Sequence, residues 1–483
     1  MLLTQFKAIC QIPHPSGHLD ALRAYIINNV SACGLTAEVD RVGNIKVDVP
    51  ASEGWAAKAE AQGRNAGEVT VLQAHYDMVP QANQELHHDF EHDPLKLRRV
   101  GDLLMATGTT LGADNGIGVA AMLAIANDDT LVHGPLELLF TVDEEVGMAG
   151  VRQMRGDWLK GTTLLNLDTE KEGELMVGCA GAVDITASYR YKLEEGMPDG
   201  DVPVLLSLKG LKGGHSGMDI HLGRGNACKL MARFLKHAVV NFEARLAWMN
   251  GGGVRNAIPR EAEALITVPA EVVDELMDEV AYYAELFRYE LRGADDGVVF
   301  TAIETSAPDT LLPEEVQDDI LNSLEAVHDG VLRFSPDVPG VVETSSNLAT
   351  VEMTRQGDAG ICNVVIMARG LNEEMKRAIA SRIQSTFILS GARVDFSAAY
   401  PGWELPLNSP LLRRMRQLYA SLFGTEARIN SVHCGLECGI IHDLYPQMQI
   451  ISFGPTIHHP HSPEESVELN SIDRFWRLLC EAI

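Results

Sequence analysis

Apolar and polar positions fall into two textures along this chain of 483 residues. In the first, short continuous apolar runs each stop at a charged or imidazole side chain. Val69 to Ala74 leads into His75 and Asp77, Leu136 to Val142 into Asp143, Glu144 and Glu145, and Thr163 to Leu167 into Asp168. Such runs read as strands of a parallel sheet, buried on both faces. Between them, His18 to Cys33 is amphipathic and stops at Gly34, and Gly116 to Ala126 is rich in alanine; both predict helices. Strand and helix thus alternate to about Cys179, the pattern of a parallel sheet covered by helices.

The second texture starts near Asp184. Asp184 to Tyr191 and Val204 to Leu208 alternate like half-exposed strands, and Gly225 to Val240 and Val272 to Leu291 predict long amphipathic helices. It ends near Val394 to Tyr400. The first texture then returns, with helices over Leu411 to Leu422 and Ile472 to Ile483 and a buried strand over Gln449 to Phe453. The expected organisation is an α/β catalytic domain in two parts, 1–183 and 401–483, with an α+β domain inserted over 184–400. The length agrees with two cores.

Composition narrows the picture. A net charge of −28 argues against a nucleic-acid partner, which needs a basic face. The eight cysteines are scattered and read as reduced thiols. No segment reaches the roughly 18 apolar residues of a membrane span. The first residues read as an amphipathic helix ended by Pro13, not as a leader peptide, so a cytoplasmic protein without a membrane partner is expected.

The chemistry lies at the strand ends, where open α/β sheets bind ligands. Residues two apart on a strand face the same side, so a carboxylate at Asp77 can take the second ring N–H of a metal-binding His75. Asp114 sits in the glycine-crowded Leu111-Gly-Ala-Asp-Asn-Gly116, suited to bridging two ions. Gly116-Ile-Gly118 also resembles the start of a dinucleotide fingerprint, which gives a distant alternative, a dinucleotide-binding oxidoreductase. However, no strand directly precedes it. The run Asp143-Glu144-Glu145 is costly to bury unless a dication offsets it. One glutamate there can bind metal while its neighbour acts as a general base. Asp168 and a late histidine (His458, His459 or His461) complete two sites that share Asp114. His87, His88 and His92 lie among acidic residues and read as a solvated loop.

In this order the motifs resemble the dinuclear zinc exopeptidases of the aminoacylase and carnosinase family. They are His75-x-Asp77, Gly112-Ala-Asp114-Asn-Gly, Asp143-Glu144-Glu145-x-Gly147, Asp168, Gly213-Gly-His215-Ser-Gly and a late histidine. Ile12-Pro-His-Pro-Ser-Gly-His18, His433-Cys-Gly-Leu-Glu-Cys-Gly439 and the segment Gly454 to His461 resemble the branch that cleaves dipeptides with C-terminal histidine. The resemblance implies metal ligands His75, Asp114, Glu145, Asp168 and His461, with a cis Asp114–Asn115 peptide. It implies Asp77 as the orienter of His75 and Glu144 as the base that activates a metal-bridging hydroxide. It also implies that the inserted domain is a lid whose His215, Asn256 and Arg369 bind substrate. The implied cofactors are two divalent ions, Zn2+ first, with Co2+ or Mn2+ as substitutes. The implied reaction is hydrolysis of Xaa-His dipeptides, carnosine among them. A broad dipeptidase or an N-acyl-amino-acid hydrolase would use the same centre. A homodimer is compatible with this reading.

Overall fold

The computed structural model describes residues 1–483, which divide into two compact units. The first comprises Met1–Cys179, Trp403–Ser431 and Leu436–Ile483, and the second Ala180–Gly402 with Val432–Gly435. The short excursion Val432–Gly435 has no signal in the hydrophobic pattern. No helix is long and apolar enough to cross a membrane.

The first unit is built on a nine-stranded sheet. Its centre is the parallel set expected from the apolar runs: Leu136–Thr141, Thr70–His75, Thr163–Asn166 and Gln449–Ser452, in that spatial order. Every residue of the first three is buried. The sheet as a whole is mixed, however. Ile45–Val49 joins one side of the parallel centre and Glu174–Cys179 the other, both antiparallel. These flanking strands were not among the runs that the hydrophobic pattern marked as strands.

Register carries the functional consequence. Thr70 pairs with Leu136 and with Thr163, and His75 pairs with Thr141. The strands therefore stop at the same edge, and the loops bearing Asp77, Glu144, Glu145 and Asp168 leave it side by side. A second sheet of four strands ties the C-terminal segment to this edge. It runs Ile457–His458, Ser466–Glu468, Leu103–Ala106, Leu97–Val100. His461 lies on the turn between its first two strands.

The helix Ala113–Ala126 is buried from Ile117 to Ile125, so it is apolar all round rather than amphipathic. Its glycines serve packing, not phosphate binding. A Cβ on Gly118 would run into the Asn115 side chain and come within 2.8 Å of the Ala74 Cβ. A Cβ on Gly116 would come 3.0 Å from the Phe6 ring.

The second unit is an antiparallel nine-stranded sheet with helices Ala227–Phe242, Val273–Glu290, Glu314–Ala326 and Glu373–Leu389. Its strands alternate buried and half-exposed positions, as in Asp201–Lys209. Phe234, Phe287, Ile266, Val364 and Phe387 share one core. Phe234 meets Phe300 edge-on at 4.8 Å between centroids.

Alanine normally stabilises a helix relative to glycine, by about 1 kcal/mol. At position 118 the opposite sign is expected. Gly118→Ala should destabilise by about 1–3 kcal/mol through overpacking against Ala74 and Asn115. Denaturant unfolding checks this, and a raised midpoint would contradict the packing role.

Candidate metal centre

The strand end at His75 delivers a fully buried imidazole. Its Nδ1 lies 3.3 Å from Asp77 Oδ1 and 3.1 Å from the Asp77 carbonyl. That leaves Nε2 to face outward, 3.0 Å from Asp114 Oδ1 and 3.3 Å from Asp168 Oδ1. His461 Nε2 lies 3.3 Å from the other oxygen of the same carboxylate, Asp114 Oδ2, and 3.0 Å from Glu145 Oε1. Each oxygen of Asp114 thus serves a different histidine–carboxylate pair. Three groups of potential ligands result: His75, Asp114 and Asp168; Asp114, Glu145 and His461; and His75, Glu144 and Glu145. His458 bonds Glu468 at 2.7 Å instead, and His92 bonds Asp89 in an exposed loop.

The backbone is shaped to bring these groups together. The Asp114–Asn115 peptide is cis, and Asn115 donates its amide to Asp168 Oδ1. Asp77 is buried and does more than face His75. It accepts hydrogen bonds from the Ser16 hydroxyl at 2.7 Å and from the backbone N–H of Glu144 and Glu145 at 3.2 and 3.3 Å. It therefore holds the acidic triplet to the strand end. His461 and Asp143 both adopt positive φ, 60° and 53°, a region that non-glycine residues rarely occupy.

Electrostatics explains what the cage is for. Burial pushes Glu144 well above the usual carboxylate range, and Asp168, Glu437 and Glu145 add to the push against the opposing pull of His75. Burial likewise raises Glu145 and Asp168. Hydrogen bonds from His461 and His75 overcome burial at Asp114 and hold it low. The same bonds, to Asp114 and Glu145, push His461 up to about 11. The carboxylates thus hold protons on the imidazoles, which a metal displaces on binding. Two imidazole nitrogens and flanking carboxylate oxygens suit zinc or a neighbouring first-row dication.

Three further acids surround the centre and escaped the sequence reading. Burial, with Asp114 and Asp168 beside it, raises Glu170 to about 8. Glu437 is raised to about 8 by burial and accepts from Gln73 Nε2 at 2.6 Å and Thr141 Oγ1 at 2.7 Å. Glu465 accepts from the backbone of the Asp114 loop. Glu170 shares the two-residue spacing of His75 and Asp77 with Asp168, a signal that was present. Glu437 lies inside a quoted motif, but neither periodicity nor spacing singled it out.

The predicted substrate-binding residues gather in the second unit. His215 Nδ1 accepts the backbone N–H of Gly217 at 3.1 Å and of Met218 at 3.0 Å. The ring proton therefore sits on Nε2, which is a donor. Burial and the Arg369 charge lower His215 to about 4, so the ring is neutral near pH 7. Arg369 is 2% exposed and is held by the Ser216 hydroxyl and by Tyr400 Oη at 2.9 Å. Asn256 is exposed, and its backbone carbonyl accepts from Ser216 N at 2.8 Å. Ser216 is thus the hub that joins all three. His433, from the Val432–Gly435 excursion, adds a buried imidazole bonded to Ser345 Oγ at 2.7 Å.

Residues 71–483 match the model for peptidase family M20/M25/M40. A cytosol non-specific dipeptidase of Escherichia coli K12 is 42% identical over 478 residues, which is 99% of this chain and 96% of that protein. The crystal structure of an aminoacylhistidine dipeptidase from Vibrio alginolyticus has 40% identity and a TM-score of 0.88, covering 100% of this chain and 96% of that one. The aminopeptidase PepT from Bacillus cereus shares 13% identity at a TM-score of 0.61 over 100% of this chain and 97% of that one, a likeness of fold alone.

The buried histidines of the second unit predict an acid-sensitive stability. Burial and Arg369 lower His433 from an ordinary 6.5 to about 3. Between those values the unfolded chain binds a proton that the folded one refuses. Stability therefore falls as pH drops below 6.5, by up to about 1.4 kcal/mol per unit from this group. His433→Gln should flatten that decline in urea unfolding measured at pH 7 and pH 5. Parallel declines for both proteins would contradict it.

Proposed function

Because the chain belongs to peptidase family M20/M25/M40, we propose that it is a dinuclear metallo-dipeptidase that cleaves Xaa-His dipeptides, carnosine among them. The observation that carries this reading is the division of Asp114, with Oδ1 toward His75 and Oδ2 toward His461. A carboxylate split in this way is suited to hold two ions at once. His75 and Asp168 would complete one site, and Glu145 and His461 the other. Two dications held there, most simply zinc, would supply Lewis acidity toward a water molecule and the scissile carbonyl.

The remaining steps belong to the chain's own groups. Glu144 is a neighbour of the ligand set, placed to act as the general base. It receives the proton of the attacking water and hands it to the departing amine. Asp77 fixes the His75 ring and the backbone of Glu144. His215, neutral with its proton on Nε2, is a donor for the oxygen that becomes negative in the transition state. Arg369 is a buried cation held by hydroxyl groups, which suits capture of a dipeptide's terminal carboxylate. Asn256 is the neighbouring polar contact.

A broad dipeptidase is the second reading, favoured by the 42% identity to a protein called non-specific. Hydrolysis of carnosine, Leu-His, Ala-Leu and N-acetyl amino acids by metal-loaded protein separates the readings. Carnosine and Leu-His are expected to be cleaved and the N-acetyl amino acids left intact. Equal turnover of Ala-Leu supports the broad reading, and cleavage of none of the dipeptides contradicts both. In the same assay Glu144→Gln should lose roughly 10²–10⁴-fold in turnover while keeping its metal, whereas Glu145→Gln should lose metal as well. Near-normal turnover in Glu144→Gln would remove it from the base role.

A further inference from the structure

Glu465 stands four residues beyond His461 and is 2% exposed. Its carboxylate accepts four consecutive backbone N–H groups. Oε2 takes those of Leu111 at 2.7 Å and Gly112 at 3.0 Å, and Oε1 those of Ala113 at 2.8 Å and Asp114 at 3.3 Å. These amides open the helix Ala113–Ala126, whose N-cap Gly112 offers no side-chain cap. The helix also departs from helical dihedrals at Asp114 and Asn115, so its first turn cannot satisfy these groups in the ordinary way. A carboxylate supplies the missing acceptors and complements the positive end of the helix dipole.

Position gives the arrangement its meaning. Glu465 N donates to Ser462 O at 3.0 Å, closing the turn that follows His461. The next residue, Ser466, pairs with Met105 in the small four-stranded sheet. One anchored turn therefore touches Asp114 twice, at Oδ2 through His461 and at the backbone through Glu465. Glutamine has the same size but not the same acceptors. Its NH2 group would point at two of the four N–H donors.

We propose that Glu465 is a positioning residue for the metal centre, clamping the 111–114 backbone so that Asp114 presents one oxygen to each ion. The proposal rests on Asp114 being the shared ligand. Cobalt(II) affinity of the full-length metal-free protein, measured by competition with a chelator, tests it together with amide exchange over 111–114. Glu465→Gln is expected to bind cobalt(II) about 10–100-fold more weakly, the range found when partners of metal ligands are removed. Exchange at 111–114 should quicken while far-UV circular dichroism stays unchanged. Glu465→Asp keeps the charge on a shorter arm and should recover part of the affinity. Should Glu465→Gln fail to fold, Glu465→Asp carries the test by the same two readouts. A folded variant that melts earlier yet binds cobalt(II) like the wild type overturns the proposal. Wild-type protein that binds no cobalt(II) overturns the shared-ligand reading of Asp114 itself, a separate failure.

Discussion

Mutual repulsion among buried carboxylates is the constraint around which the first unit is built. Asp77, Asp114, Glu144, Glu145, Asp168, Glu170, Glu437 and Glu465 crowd one sheet edge, with His75 and His461 as the imidazoles among them. Desolvation alone would drive these acids to take up protons. Three of them are held by specific donors. Asp77 has the Ser16 hydroxyl and two backbone N–H groups, Glu437 has Gln73 and Thr141, and Glu465 has four backbone N–H groups. The Asp114 carboxylate faces the two imidazoles, one on each oxygen, which leaves cations as its natural complement.

The fold supplies the crowding at little local strain. Parallel strands in register end together, so three loops of different sequence origin reach one place without any of them being long. Two more segments complete the site: the loop that opens the helix Ala113–Ala126 and carries Asp114, and the turn bearing His461 and Glu465, which comes from the far end of the chain and is fixed by the four-stranded sheet. Positive φ values at Asp143, Met148, His459 and His461 shape the two turns that carry the acidic triplet and the late histidine.

Much of this was legible in the sequence, for identifiable reasons. The strands Thr70–His75, Leu136–Thr141 and Thr163–Asn166 are largely apolar and buried throughout, the pattern that burial on both faces favours. The His75–Asp77 pair follows from strand parity. The inserted unit announced itself by a change from continuous to alternating apolarity. Apart from Glu170, whose spacing from Asp168 was a usable signal, what escaped has no local signature. Glu465 looks like an exposed acid beside Glu464 until the 111–114 amides are brought to it. The Val432–Gly435 excursion is too short to show a period. Gly116 and Gly118 mimic a phosphate loop because close packing and phosphate approach both require the absence of a Cβ.

The central claim is that Asp114 serves two ions, one on each oxygen. Anomalous diffraction at the absorption edge of zinc or cobalt, from crystals of the loaded protein, measures this directly. Two peaks per chain are expected, one against Asp114 Oδ1 with His75 and Asp168, the other against Oδ2 with Glu145 and His461. They should lie about 3.5–4 Å apart, as in other two-metal hydrolases. A single peak, or two peaks that do not share Asp114, would contradict the account.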